Sequence, residues 1–111
     1  MAKLLVLASG VVKAPKSGPR AVSAYVVMSA GAQSRVFRVR GPAGAPVVDE
    51  LPSATTLDLK HFQGQLQSDL EPTLDELRAE GHAAHIELSP PEIVTAFVRK
   101  HLKDTEGVDV D

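Results

Sequence analysis

The apolar period changes once along the chain, and that change limits the fold more than any other feature. Up to residue 40 the apolar residues fall in strand-like segments. Residues 2–8 (AKLLVLA) form a continuous apolar run of strand length, the pattern of a central strand covered on both faces. Residues 21–29 (AVSAYVVMS) are rich in β-branched and aromatic side chains, and residues 33–40 (QSRVFRVR) alternate arginine with apolar residues. From residue 59 onward Leu59, Phe62, Leu66, Leu70, Leu74 and Leu77 recur three or four apart, which places them on one helical face. Strands come first and helices after, so the expected class is α/β (α+β): three antiparallel strands, a helix, a short helix, a fourth strand and a last helix.

Punctuation fills in the connections. Residues 11–21 (VVKAPKSGPRA) hold Pro15, Gly18 and Pro19 among bases and predict a wide basic hairpin loop. The alternating third strand predicts a sheet edge, where charge guards against aggregation. Residues 41–52 (GPAGAPVVDELP) predict a connection without structure of its own. Thr55 and Asp58, three apart, predict the start of the first helix. Pro72 lacks an amide hydrogen, so a break is expected near Glu71, with a second short helix ending before Gly81.

Residues 82–89 (HAAHIELS) predict the fourth strand. The pairs Ile93–Val94, Phe97–Val98 and His101–Leu102 predict an amphipathic helix over residues 90–103. The strand-to-helix corner, Ser89, Pro90, Pro91 and Glu92, spells a capping box with prolines at positions whose amides have no helical partner anyway. Ser89 is therefore expected to cap rather than to attack a substrate, since no nucleophile elbow surrounds it. The expected organisation is one domain over residues 1–103 and an acidic tail over residues 104–111.

Charge divides the chain as the periodicity does. Residues 1–48 carry seven bases (Lys3, Lys13, Lys16, Arg20, Arg35, Arg38, Arg40) and no acid, while the remainder carries fourteen acids and five bases. Either the two halves neutralise each other once folded, sheet against helices, or the asymmetry marks a charged partner, for which the expected contact set, nucleic acid or another polyanion, is Lys13, Lys16, Arg20, Arg35, Arg38 and Arg40. Alternation places Arg38 and Arg40 on one strand face and Arg35 on the other.

Several chemistries are disfavoured. Without cysteine there is no disulfide, thiolate nucleophile or Cys-ligated zinc. His82 and His85, three apart across a strand start, point to opposite faces, with His61 and His101 elsewhere, so no metal site is expected. The glycine-rich GPAGAP lacks the lysine and hydroxyl of a phosphate loop, and three phenylalanines and one tyrosine leave little for base stacking. No cofactor is expected. The apolar run after Lys3 is too short for a secretory signal, and no stretch reaches membrane-spanning length, so a soluble cytoplasmic protein with no membrane role is expected.

The order of elements, the opening hairpin of residues 5–27 (LVLASGVVKAPKSGPRAVSAYVV) and the helix start of residues 55–59 (TTLDL) resemble the ribonuclease H-like fold. The resemblance implies a fourth strand parallel to the first. It also implies nuclease chemistry on two metal ions held by clustered carboxylates. The family's acid positions fall here at about Ser9 and at Pro90, and only Asp58 matches. A non-catalytic, acid-depleted binding domain is thus the expectation. A protein-interaction or self-associating subunit, a homodimer through the edge of the exposed arginine-alternating strand of residues 33–40, is the alternative, and a rearranged site built from Asp58, Glu87 and Glu92 is the remaining enzymatic one.

Overall fold

The computed structural model describes residues 3–16, 18–52, 58–88 and 91–109. Its elements are β1 (Lys3–Ala14), β2 (Gly18–Ala30), β3 (Gln33–Pro42), β4 (Val47–Glu50), α1 (Leu59–Ala79), β5 (His85–Glu87) and α2 (Pro91–Glu106). The five strands form one sheet in the order β4-β3-β2-β1-β5, antiparallel at every junction.

Strand alternation gives the sheet two apolar faces, and each takes one helix. Val22, Ala24, Val26 and Met28 of β2, with Phe37 and Val39 of β3, pack beneath Val94, Val98 and Leu102 of α2. On the opposite face Val12 and Ala21 meet Leu70, Leu74 and Leu77 of α1, while Tyr25, Val27 and Val36 meet Phe62. Of the stripe seen in the sequence, Phe62, Leu70, Leu74 and Leu77 are buried, Leu66 is partly buried, and Leu59, at the first turn, is exposed.

The mixed α+β class holds, and several details differ from expectation. The hairpin loop expected over residues 11–21 is strand almost throughout: β1 runs to Ala14, β2 starts at Gly18, and Lys16 and Gly18 turn the chain at positive φ (both 69°). Pro19 is accommodated at a register shift between Val12 and Lys13, where a ladder amide is not required. Residues 47–50, expected as coil, form β4, so β3 is not the sheet edge. The physical reason is complementary charge, since Arg38 of β3 lies directly opposite Asp49 of β4. The fourth strand expected over residues 82–89 is only His85–Glu87, and it runs antiparallel to β1 where the resemblance implies a parallel strand.

Pro72 does not break the first helix. α1 continues for 21 residues through it, and the expected short second helix is the C-terminal part of α1. Proline costs a helix interior about 3 kcal/mol. Here Ser68 and Pro72 are both exposed, so the carbonyl that proline cannot bond faces solvent, and burial of Leu70 before it and Leu74 and Leu77 after it offsets the loss. The helix ends as expected: Gly81 (φ 93°) bonds to the Arg78 carbonyl and His82 to that of Leu77, a Schellman closure.

Asp58 caps the start of α1, its side chain accepting the Lys60 amide at 3.0 Å; Thr55 lies outside the described residues. The corner serine Ser89 and Pro90 also lie outside them. α2 extends past Lys103 to Glu106, and Gly107 and Val108 bond back to Lys103 and Leu102, so part of the expected tail is folded against the helix. Among the described residues no helix is long and apolar enough to cross a membrane.

Candidate functional site

On the α1 side of the sheet a polar cluster forms where the helix crosses β2 and β3. Cross-strand register sets Ser23 opposite Arg40 and Tyr25 opposite Arg38, all on this face. From α1, one turn beyond Leu66 on the flank of the stripe, Asp69 reaches down to them. Its carboxylate accepts the Tyr25 hydroxyl at 2.7 Å and the Ser23 hydroxyl at 3.0 Å, and lies 3.5 Å from the Arg40 guanidinium. The Asp69 side chain is only 9% exposed.

Burial first, then the Asp69 hydrogen bond and charge, push the Tyr25 phenol up to about 12. A phenol held that firmly does not exchange protons near neutrality. One oxygen of the carboxylate holds both hydroxyls and the other faces the guanidinium, so this cluster ties helix to sheet.

Beside it Arg38, Leu51, His61 and Gln65, with the stacked Tyr25 and Phe62 rings (centroids 4.9 Å apart), line a pocket of about 250 Å³. Arg38 reaches Asp49 at 3.4 Å, and its buried Nε has no hydrogen-bond partner among the described residues.

The six expected polyanion contacts do not converge. Arg35 lies on the α2 face, held by both oxygens of Glu50 (2.9 and 2.7 Å) and both of Glu106 (3.0 and 2.7 Å), with its guanidinium 5.0 Å over the Phe37 ring. The hydrogen bonds from Arg35 hold the Glu50 and Glu106 carboxyls below the usual glutamate range. Arg38 and Arg40 share the α1 face, as alternation implies, and each faces a carboxylate, Asp49 and Asp69. Lys13 pairs with Glu87 at 3.2 Å, and His85 contacts the same carboxylate at 2.6 Å. Lys16 and Arg20 sit at the β1–β2 hairpin end, with no ion pair among the described residues.

The three carboxylates of the rearranged-site alternative are separated in the same way. Asp58 caps α1, Glu87 is on β5 and Glu92 is in the first turn of α2. Among the described residues no group of three or more His, Asp or Glu side chains is disposed to hold a metal ion.

An apolar surface lies at the opposite edge of the sheet. β5 covers β1 only at Val11, Val12 and Lys13. Over residues 3–8, β2 is the only strand partner of β1 among the described residues. Next to that open edge a groove of about 370 Å³ is lined by Val6, Leu7, Ala8, Ser9, Gln63, Leu66, Leu88 and Pro91. Leu88 is 86% exposed and also lines an apolar pocket of about 330 Å³ with Val11, Val22, Ile93 and Phe97.

The sequence pattern missed both features. Asp69 carried a signal, a carboxylate flanking a leucine stripe, but its partners Ser23 and Tyr25 are 46 and 44 residues distant. Comparisons with protein-family models, curated proteins and solved structures give no match.

Proposed function

We propose that this chain is a non-catalytic protein-interaction module that accepts a partner's strand at the outer edge of β1. The observation that carries the proposal is the open apolar edge of residues 3–8, backbone unpaired by any described strand and running beside an apolar groove. Unsatisfied edge amides beside exposed apolar side chains are the ingredients of strand addition: the ladder supplies affinity and the side-chain sites supply selectivity. The exposed Ile86, Leu88 and Ile93 extend the apolar surface around the β5–α2 corner.

Polyanion binding is the second reading, and the charge pairing weakens it. Four of its six side chains face carboxylates, leaving Lys16 and Arg20 at one end of the sheet. Two cations make a small counterion-release term. The ribonuclease H-like resemblance carries no part of the proposal.

The experiment is hydrogen exchange on the dilute protein with a synthetic extended peptide of alternating valine and threonine. Slowed exchange confined to residues 3–8 and the flanks of β5 is expected. Unchanged exchange at saturating peptide, together with salt-dependent duplex DNA binding that is lost when Lys16 and Arg20 are both replaced by Ala, would establish the polyanion reading instead.

A further inference from the structure

We infer that the strand taken up at this edge is β1 of a second copy, the two copies pairing antiparallel about a two-fold axis near Leu5; this inference rests on the strand-addition reading above.

The first argument is a mismatch between sequence pattern and position. A continuous apolar run marks a strand buried on both faces inside a sheet. Among the described residues β1 has a second strand neighbour only at Val11, Val12 and Lys13, and Leu5 is 62% exposed on the α1 face. The cover stops early for a covalent reason: β5 ends at Glu87, and the chain soon reaches Pro90 and Pro91, neither of which has an amide hydrogen to donate to β1. The chain's own sequence therefore forbids β5 from extending along residues 3–8, and the groove continues where it stops.

The second argument is self-complementarity. A two-fold axis perpendicular to the sheet sets Leu5 opposite the partner's Leu5 and Leu4 opposite the partner's Val6. Register places Leu5 on the α1 face with Val27, and Leu4 and Val6 on the α2 face with Met28 and Val26. Opposed residues thus share a face, and apolar meets apolar on both sides of the sheet. Lys3 is the only charge in residues 3–10, and it lies opposite the partner's Leu7, so no like charges meet. The usual guards of an edge, inward charge or proline, are absent from residues 4–8; a bulge at Leu7 is the one irregularity, and it lies off the axis. Pairing joins two five-stranded sheets into one continuous sheet and makes both β1 strands interior.

The test uses the full chain, with sedimentation and a single engineered cysteine in a protein that has none of its own. The wild type is expected to sediment at twice the 11.8 kDa of one chain, and Leu5→Lys at that single-chain mass with an unchanged circular dichroism spectrum. Leu59→Lys, which replaces an exposed leucine on α1 outside the groove lining, is expected to remain dimeric. Cα atoms directly opposed across antiparallel strands are roughly 4.5–5.5 Å apart, within disulfide reach. Leu5→Cys is therefore expected to form a covalent dimer on mild oxidation, and Leu59→Cys is not.

A wild-type chain that is monomeric at high concentration overturns the second copy. If that monomer still takes up the valine–threonine peptide, the interaction reading stands; if it does not, both fall. A dimer that survives Leu5→Lys, or that fails to cross-link through Leu5→Cys, places the contact elsewhere and also overturns the inference.

Discussion

Replacing Tyr25 with phenylalanine tests the tie between α1 and the sheet. The chain holds one tyrosine and no tryptophan, so tyrosinate absorbance reports this residue alone. In the folded state the phenol is raised from 10.0 to about 12, by burial and then by the hydrogen bond to Asp69. A group whose folded pKa exceeds its unfolded value stabilises the fold fully below the unfolded pKa and loses that contribution as pH rises through the folded one. The window is therefore pH 10 to about 12. The stabilisation lost across it is about 3 kcal/mol, at about 1.4 kcal/mol per pH unit.

At neutral pH Tyr25→Phe removes a donor to a buried carboxylate that keeps Ser23 and Arg40, a loss of about 1.5–3 kcal/mol. Denaturant midpoints measured from neutral to alkaline pH should show the wild type falling more steeply than Tyr25→Phe above pH 10, the two curves converging by about 12. The difference between the two curves removes every contribution that the substitution leaves unchanged. A folded-state tyrosinate titration centred near 10, or parallel stability curves, would refute the reasoning.

Two further perturbations address the packing and the charge clamp. A Cβ at Gly10 falls 3.2 Å from Leu70 Cδ1, 3.3 Å from Leu66 Cδ2 and 3.4 Å from the Glu87 carbonyl. Gly10→Ala should thus shift only leucine tips, whereas Gly10→Val should destabilise by about 1–3 kcal/mol in urea unfolding; a neutral Gly10→Val would show that β1 and α1 are not in this contact. Arg35→Met should remove the acid-side stability contributed by Glu50 and Glu106, whose lowered pKa values stabilise the fold above the ordinary glutamate range and lose that effect as pH falls through the folded values. Urea midpoints at descending pH check this, and salt should shrink the difference because the clamp is partly exposed.

The α+β class was legible because hydrophobic period is a local property. Residues 33–40 alternate whatever they pair with, and Leu66, Leu70, Leu74 and Leu77 make a stripe before any sheet exists to receive it. Local geometry also put Arg38 and Arg40 on one face and Arg35 on the other, and it ended α1 at Gly81. Pairing was not legible in the same way. Whether Asp49 meets Arg38, 11 residues away, whether β5 runs parallel or antiparallel to β1, and whether the Ser23 and Tyr25 hydroxyls find a carboxylate 46 and 44 residues on depend on which segments the fold brings together.

Pro72 shows the same division: its local penalty is fixed by chemistry, and burial of the leucines on either side against the sheet decided that the helix continues. Four bases of the first half, Lys13, Arg35, Arg38 and Arg40, entered ion pairs for the same reason. Charge is a property of residues, whereas neutralisation belongs to the tertiary arrangement that sets acids of β4, β5, α1 and α2 against them. The sequence alone determined that residues 2–8 were suited to a covered strand. Only the folded chain, by setting β5 beside Val11, Val12 and Lys13, left residues 3–8 with β2 as their one strand partner among the described residues.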